Sequence, residues 1–191
     1  MYLGEKIMIL EKTKLGNVYI VEPSIFNDER GVFVKNFQEE IFKGMGLERD
    51  FKESFYSVSK RGVIRGMHFQ VPPYDHAKLV YVVYGSITDV VLDIRRNSPS
   101  YGEYISLCLS SENKKSVYVG HGFAHGFSVE SDYATVIYMQ TAVYSPECDT
   151  GIRWDSFGMK WAVDNPILSK RDKNFLPFKD LVSPFLFEDR K

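Results

Sequence analysis

Short runs of Val, Ile, Tyr and Phe, cut repeatedly by Gly, Pro, Asn, Asp or Ser, fill most of the chain and leave little room for long helices. "NVYIVEP", "GVFVKNF", "SFYSVS", "GVIRGMHF", "KLVYVVYG", "ITDVVLDIRR", "YISLCLSS", "KSVYVGHG", "AHGFSVES", "ATVIYMQTAVY" and "GIRWD" follow one another in this way. β-Branched and aromatic side chains suit a pleated, half-buried surface, and the residues between the runs supply turns. Such dense spacing predicts an all-β sandwich or barrel. Helix is expected only around Glu39–Met45 and in a short terminal piece near Lys170–Leu181. The 191 residues contain no repeat, low-complexity run or linker, so one domain over 1–191 with a sizeable core is the economical reading.

Charge narrows the function classes. Lys and Arg total 24 against 25 Asp and Glu, a formal net charge of −1, which argues against a nucleic-acid surface built on bulk charge. No apolar run approaches membrane-spanning length. The start "MYLGEKIMILEKTK" lacks a long apolar stretch and a small-residue cleavage site, so a cytoplasmic protein is expected, without nucleic-acid or membrane partners. Cys108 and Cys148 are too few for a disulfide framework and have neither zinc spacing nor a CxxC pattern. Cys108, in "YISLCLSS", is expected as a small buried hydrophobe.

The chemistry centres on "GVIRGMHFQ", residues 62–70, which sets Arg65, His68 and Gln70 among apolar neighbours. A buried arginine is costly unless it meets an anion, and the glycines of "GHGFAHGF" allow backbone near His125 to approach a ligand. A metal site is disfavoured. Gln70 stands where a second histidine ligand would be wanted, no glutamate follows at short spacing, and neutral amides are poor transition-metal ligands. An acid–base site fits better, with His68 as a base, since imidazole is the side chain whose ordinary range lies near working pH. Lys78, in "HAKLVYVV", is either a cation for a developing oxyanion or a strand-edge lysine. Tyr138 is either a phenolic proton donor or packing. Arg65 and His68 stand three apart, so regular alternation aims them at opposite faces unless a bulge near Gly66 intervenes.

Taken together, "RGVF", "GVIRGMHFQVPP", "KLVYVVYGSITDVVLDIRRNSPSYG", "LSSEN", "GFAHGF", "GIRWD" and "PILSKRD" occur in the order found in the dTDP-4-dehydrorhamnose 3,5-epimerases. The chain resembles that family from about Val18 to Asp172. The resemblance implies a cupin-type double-stranded β-helix, or jelly roll, with short flanking helices. It also implies metal-free, cofactor-free epimerisation in deoxysugar and polysaccharide biosynthesis, on a nucleotide-linked 4-ketosugar. By the same resemblance His68 is the base, Asp172 its orienting partner, Tyr138 the proton donor on the opposite face and Lys78 the cation on the enolate. Arg65, His125, Tyr144, Asp149 and Arg171 match pocket positions, and Gln70 is read as a polar residue in or just behind the pocket. Arg30 and Phe33 match a segment that reaches across a homodimer interface towards the nucleotide.

Departures from the family pattern bear on the substrate. Lys35 replaces a usual glutamate, Glu53 and Phe55 replace a glutamine and an asparagine, and Gly120–His121 replaces two prolines. Asp149 and Arg171 keep the charge sign of the usual glutamate and lysine. A site built to hydrogen-bond one base rejects others strongly, so CDP- or GDP-linked sugars are open beside dTDP. Lys35 and Glu53 can equally form a compensating ion pair. A single-site 3- or 5-epimerase and a non-catalytic cupin sugar-binding protein are the competing readings.

Overall fold

A computed structural model describes residues 3–6 and 8–188; the two ends of the expected 1–191 span lie outside the described residues. One six-stranded sheet runs in the order β2 (Ile9–Lys12), β3 (Val18–Glu22), β11 (Ser116–Val119), β8 (Lys78–Tyr84), β13 (Tyr133–Gln140), β6 (Glu53–Lys60). A five-stranded sheet is ordered β10 (Tyr104–Ser110), β9 (Ser86–Asp93), β12 (Phe123–Val129), β7 (Ile64–Gln70), β14 (Asp149–Gly151). A smaller sheet joins β1 (Leu3–Lys6), β4 (Ser24–Asp28) and β5 (Gly31–Lys35). All pairs are antiparallel. This is the all-β cupin-type jelly roll that the sequence predicts.

The core lies between the two larger sheets. Val80, Val82, Val117, Val119 and Val136 from one sheet meet Ile87, Val91, Leu109, Phe123 and Phe127 from the other. Apolar burial of this kind stabilises by roughly 25 cal/mol per Å² removed from water. A second layer covers the outer face of the five-stranded sheet, where Met67, Val90, Leu92 and Ile152 pack beneath Trp161, Phe178 and Phe185. A third sets α1 (Glu39–Gly44), through Phe42 and then Leu47, on Leu79 and Tyr118. Strand β12 is therefore buried on both faces, which is why "FAHGFSV" is apolar without alternating. Among the described residues, no helix is long and apolar enough to cross a membrane.

Several boundaries differ from expectation. Strands β2 and β4 carry too many exposed polar residues to read as strands, yet β2 pairs along the edge of its sheet and β4 is the central strand of the small one. Strand β13 stops at Gln140, leaving Tyr144 on a loop, and β14 takes only Gly151 from "GIRWD". The terminal piece is two single turns, α2 (Lys170–Lys173) and a 3-10 turn at Phe178–Asp180. Cys108 is exposed, not buried, because β10 is an edge strand whose alternation turns Leu109 inward and Cys108 outward. "DIRRNSPS" is a structural knot: buried Asp93 accepts hydrogen bonds from Arg95, Ser98 and Ser100, and Arg95 lies over the Phe123 ring at 4.2 Å.

One irregularity decides where the polar residues point. His125 pairs with His68, but Phe127 pairs with Arg65, so β7 carries an extra residue between these two rungs. Gly66 sits in the gap at φ +138°, a conformation that side chains rarely adopt. A Cβ on Gly66 would lie 2.5 Å from Gly126 Cα, and one on Gly126 would lie 2.7 Å from Arg65 O. The two backbones touch, and only glycine fits on either side. Overpacking and forced φ each cost about 1–3 kcal/mol. Gly66→Ala and Gly126→Ala should thus each lower unfolding free energy by about 2 kcal/mol or more in urea titrations. Gly16→Ala, where nothing lies within 4 Å of the new carbon, should change it by less than about 1 kcal/mol.

Candidate active site

The extra residue in β7 breaks the period of two, so Arg65 and His68 both line one cavity of about 380 Å³ between the sheets. Strand β8 contributes Lys78, β13 contributes Tyr138 and Gln140, and β12 contributes His125. Glu53, Phe55 and Ser57 come from β6, Asp149 from β14, Tyr144 from the loop after β13, and Arg171 from α2.

His68 is held from below. Its Nε2 lies 2.9 Å from Asp172 Oδ1, while Asp172 Oδ2 accepts from the Gly66 amide at 3.3 Å. Ser169 caps α2 by accepting from the Asp172 amide at 3.0 Å, which anchors the carboxylate to its turn. Burial alone would raise the Asp172 pKa. The hydrogen bond and charge of His68, with Ser169 and the Gly66 amide, outweigh it and hold the group at about 2. The permanent carboxylate favours a ring hydrogen on Nε2, whereas Arg171 Nη2, which can only donate, favours a bare nitrogen there. Nδ1 has no hydrogen-bond partner among the described residues. Arg171 Nη2 stands 3.0 Å from Nε2, and the same guanidinium pairs with Asp149 and lies over the Phe175 ring.

Lys78 is buried, and no hydrogen bond or ion pair ties its ammonium to another described residue. Burial pulls its pKa down, the Asp149 and Asp89 carboxylates resist, and the result is about 8. Tyr138 stacks on Phe55 at 4.8 Å, and its hydroxyl lies 3.3 Å from Ser57 Oγ. Burial pushes the phenol up, past what Ser57 and Arg65 counteract, so it keeps its proton. His125 Nε2 meets Asp89 Oδ2 at 2.8 Å, both fully enclosed, and makes a second imidazole–carboxylate pair beside the first. His76 is driven to about 3 by burial and by Lys78, and so stays neutral.

Arg65 Nε donates to Ser59 Oγ at 2.8 Å. Gln70 lines the cavity but spends its amide on loops, donating to Tyr74 O and Val143 O and accepting from Ser145 N at 2.7 Å. Glu53 Oε2 accepts from the Tyr144 amide at 2.6 Å, and within the chain it does not pair with Lys35. Arg30, Phe33 and Lys35 lie on or beside the β4–β5 hairpin and do not line this cavity; Arg30 is held by Asp28. Sequence reasoning missed Asp89, Ser57 and Gln140. An aspartate inside the apolar run "ITDVVLD" was a signal for the first, and alternation from Phe55 and Tyr138 would have found the other two.

Among the described residues, no three His, Cys, Asp or Glu side chains are grouped to hold a metal ion. The arrangement offers a base, a neutral acid and a buried cation around one space, which is the equipment for moving a proton on carbon beside a carbonyl. Competitive acylation across a pH series should show Lys78 becoming reactive with a midpoint near 8. An ordinary surface lysine titrates about two units higher.

The family model described as dTDP-4-dehydrorhamnose 3,5-epimerase matches residues 12–180. The dTDP-4-dehydrorhamnose 3,5-epimerase of Methanothermobacter thermautotrophicus is 44% identical over 88% of this chain and 94% of its own length. The crystal structure of the enzyme of that name from Elizabethkingia anophelis superposes with a TM-score of 0.86 at 38% identity, covering 91% of this chain and 97% of that one. The dTDP-6-deoxy-D-glucose-3,5-epimerase of Legionella pneumophila, in complex with dTDP-4-keto-L-rhamnose, gives 0.89 at 32% identity over 95% and 99%. The chain belongs to the dTDP-4-dehydrorhamnose 3,5-epimerase family.

Proposed function

We propose that this chain inverts C3 and C5 of a nucleoside-diphospho-4-keto-6-deoxyhexose, dTDP-4-dehydro-6-deoxyglucose foremost, through an enolate. The observation that carries the reading is the meeting of the His68–Asp172 pair, Lys78 and Tyr138 on one cavity. Both target carbons flank the C4 ketone, so their hydrogens are acidic. His68 takes the proton, and the C–H electron pair moves through the carbonyl to place negative charge on oxygen. Lys78 stabilises that charge, a contribution of roughly 10²–10³ in rate for one preorganised donor. Tyr138 returns a proton on the opposite face, the carbonyl re-forms, and solvent restores both groups. Arg65 and Arg171 offer guanidinium groups to the diphosphate.

The reading needs neither metal nor cofactor, since the ammonium does the work of a Lewis acid. A homodimer is part of it. Arg30 and Phe33 are exposed on a hairpin outside their own cavity, which supports the reading that they serve a partner's. Tyr56, Val58, Tyr84 and Tyr133 leave an aromatic and aliphatic outer face on the six-stranded sheet, each between 55% and 69% exposed. The chain is read as one catalytic domain working in the cytoplasm, where nucleotide sugars are assembled.

Incubation with dTDP-, CDP- and GDP-4-keto-6-deoxyhexoses in deuterated water tests the reading. Deuterium is expected at C3 and C5 of the dTDP sugar; label at one carbon alone would mark a single-site epimerase, and none with any donor a binding protein. His68→Asn should cut exchange at both carbons by about 10²–10⁴ with nucleotide affinity retained; near-normal exchange would mean another group is the base. Sedimentation equilibrium is expected to return twice the chain mass, and a monomer at working concentration would refute the dimer.

A further inference from the structure

Three strands of the six-stranded sheet align a polar row along the cavity wall. Gln140 on β13 is the register partner of Glu53 on β6 and of Lys78 on β8. The next row on the same face of the sheet, Phe55, Tyr138 and Val80, is apolar apart from the phenol oxygen. Gln140 is 9% exposed and lines the cavity, yet its side-chain amide has no hydrogen-bond partner among the described residues. Its neighbours do not use it either: Glu53 is occupied by the Tyr144 amide, and Lys78 faces the cavity. A buried amide in contact only with cavity water is costly once a ligand displaces that water, unless the ligand replaces the lost hydrogen bonds.

The ligand's own connectivity says which group does so. Resting on the epimerase reading, the C4 oxygen sits at Lys78 Nζ, and adjacent strands are about 4.8 Å apart. The group meeting Gln140 is therefore borne by a carbon next to the ketone. Of the two such carbons in a 4-keto-6-deoxyhexose, C3 carries a hydroxyl, whereas C5 carries a methyl and the ring oxygen. A hydroxyl donates and accepts, and a primary amide matches both. On the far side of Lys78 the register partner is Val119, fully buried and apolar, which offers the hydroxyl nothing. We infer that Gln140 is a specificity-determining residue, which binds the C3 hydroxyl and thereby selects 3-hydroxy over 3-deoxy 4-ketosugars and supports exchange at C3 more than at C5.

The test pairs two variants with two substrates. Gln140→Met and Gln140→Leu remove both polar atoms at similar volume, and exchange at C5 in the same sample reports that the protein is folded. With dTDP-4-keto-6-deoxyglucose in deuterated water, the C3:C5 exchange ratio should fall about five- to tenfold in each variant, the worth of one hydrogen bond. With the 3-deoxy analogue the loss should vanish or reverse: the variants should exchange C5 with a kcat/KM at or above that of wild type, whose amide is left unpaired. The inference is overturned if the ratio stays at the wild-type value, or if the variants lose C5 exchange equally with both substrates. Absence of exchange in the wild-type protein overturns the epimerase reading and this inference with it; normal wild-type exchange with an unchanged ratio in the variants overturns the inference alone.

Discussion

The carboxylate of Asp172 joins two things that the architecture would otherwise separate. One oxygen receives the ring of His68, and the other receives the backbone amide of Gly66, at the point where β7 leaves its regular pleat. The extra residue there puts Arg65 and His68 on one cavity, and the same group that orients the imidazole helps hold the backbone that presents it. Charge-assisted hydrogen bonds of this kind are about twice as strong as neutral ones. The depressed Asp172 pKa follows from them and keeps the anchor ionised throughout the neutral range. The cavity's geometry is thus fastened by the turn at Ser169–Lys173, remote in sequence from the strand it holds.

The cavity's charges are arranged so that one buried cation, beside the exposed Arg65, stands open to a ligand. Arg171 is paired with Asp149, and His125 with Asp89. His76 is kept neutral by its burial and by Lys78 itself. Lys78 alone among these has no direct partner, with two carboxylates near enough to raise its proton affinity but not to consume it. A cation partly stripped of water interacts with a developing oxyanion far more strongly than one in bulk solvent. Burial also acts on Tyr138 in the sense an acid requires, since a phenol that resists ionisation still carries the hydrogen it must give.

Much of this was legible beforehand, for physical reasons that can be named. The strands could be read because β-branched and aromatic runs broken by turn residues permit few alternatives, and the need for a bulge followed from the odd spacing of Arg65 and His68. The roles proposed for Lys78 and Tyr138 came from family resemblance, since a lysine in an apolar strand is ambiguous until its burial is known. Asp89 and Asp93 show the limit. Both are carboxylates in one apolar strand, yet one orients His125 and the other ties a turn with Arg95 and two serines. Only the packing of distant segments tells them apart. Cys108 went the other way, because pairing partners, and not composition, decide which strand is an edge.

Gln70 has a consequence of its own. Its single amide fastens the segment running into Lys78, through Tyr74, and the segment carrying Tyr144, through Val143 and Ser145. Two rims of the cavity therefore hang on one hinge pin, so neither loop can lengthen or drift independently while that residue stays. Diversification of substrate choice within this scaffold would accordingly proceed by exchanging side chains on fixed loops, and remodelling either rim would first require another residue to take over the joint.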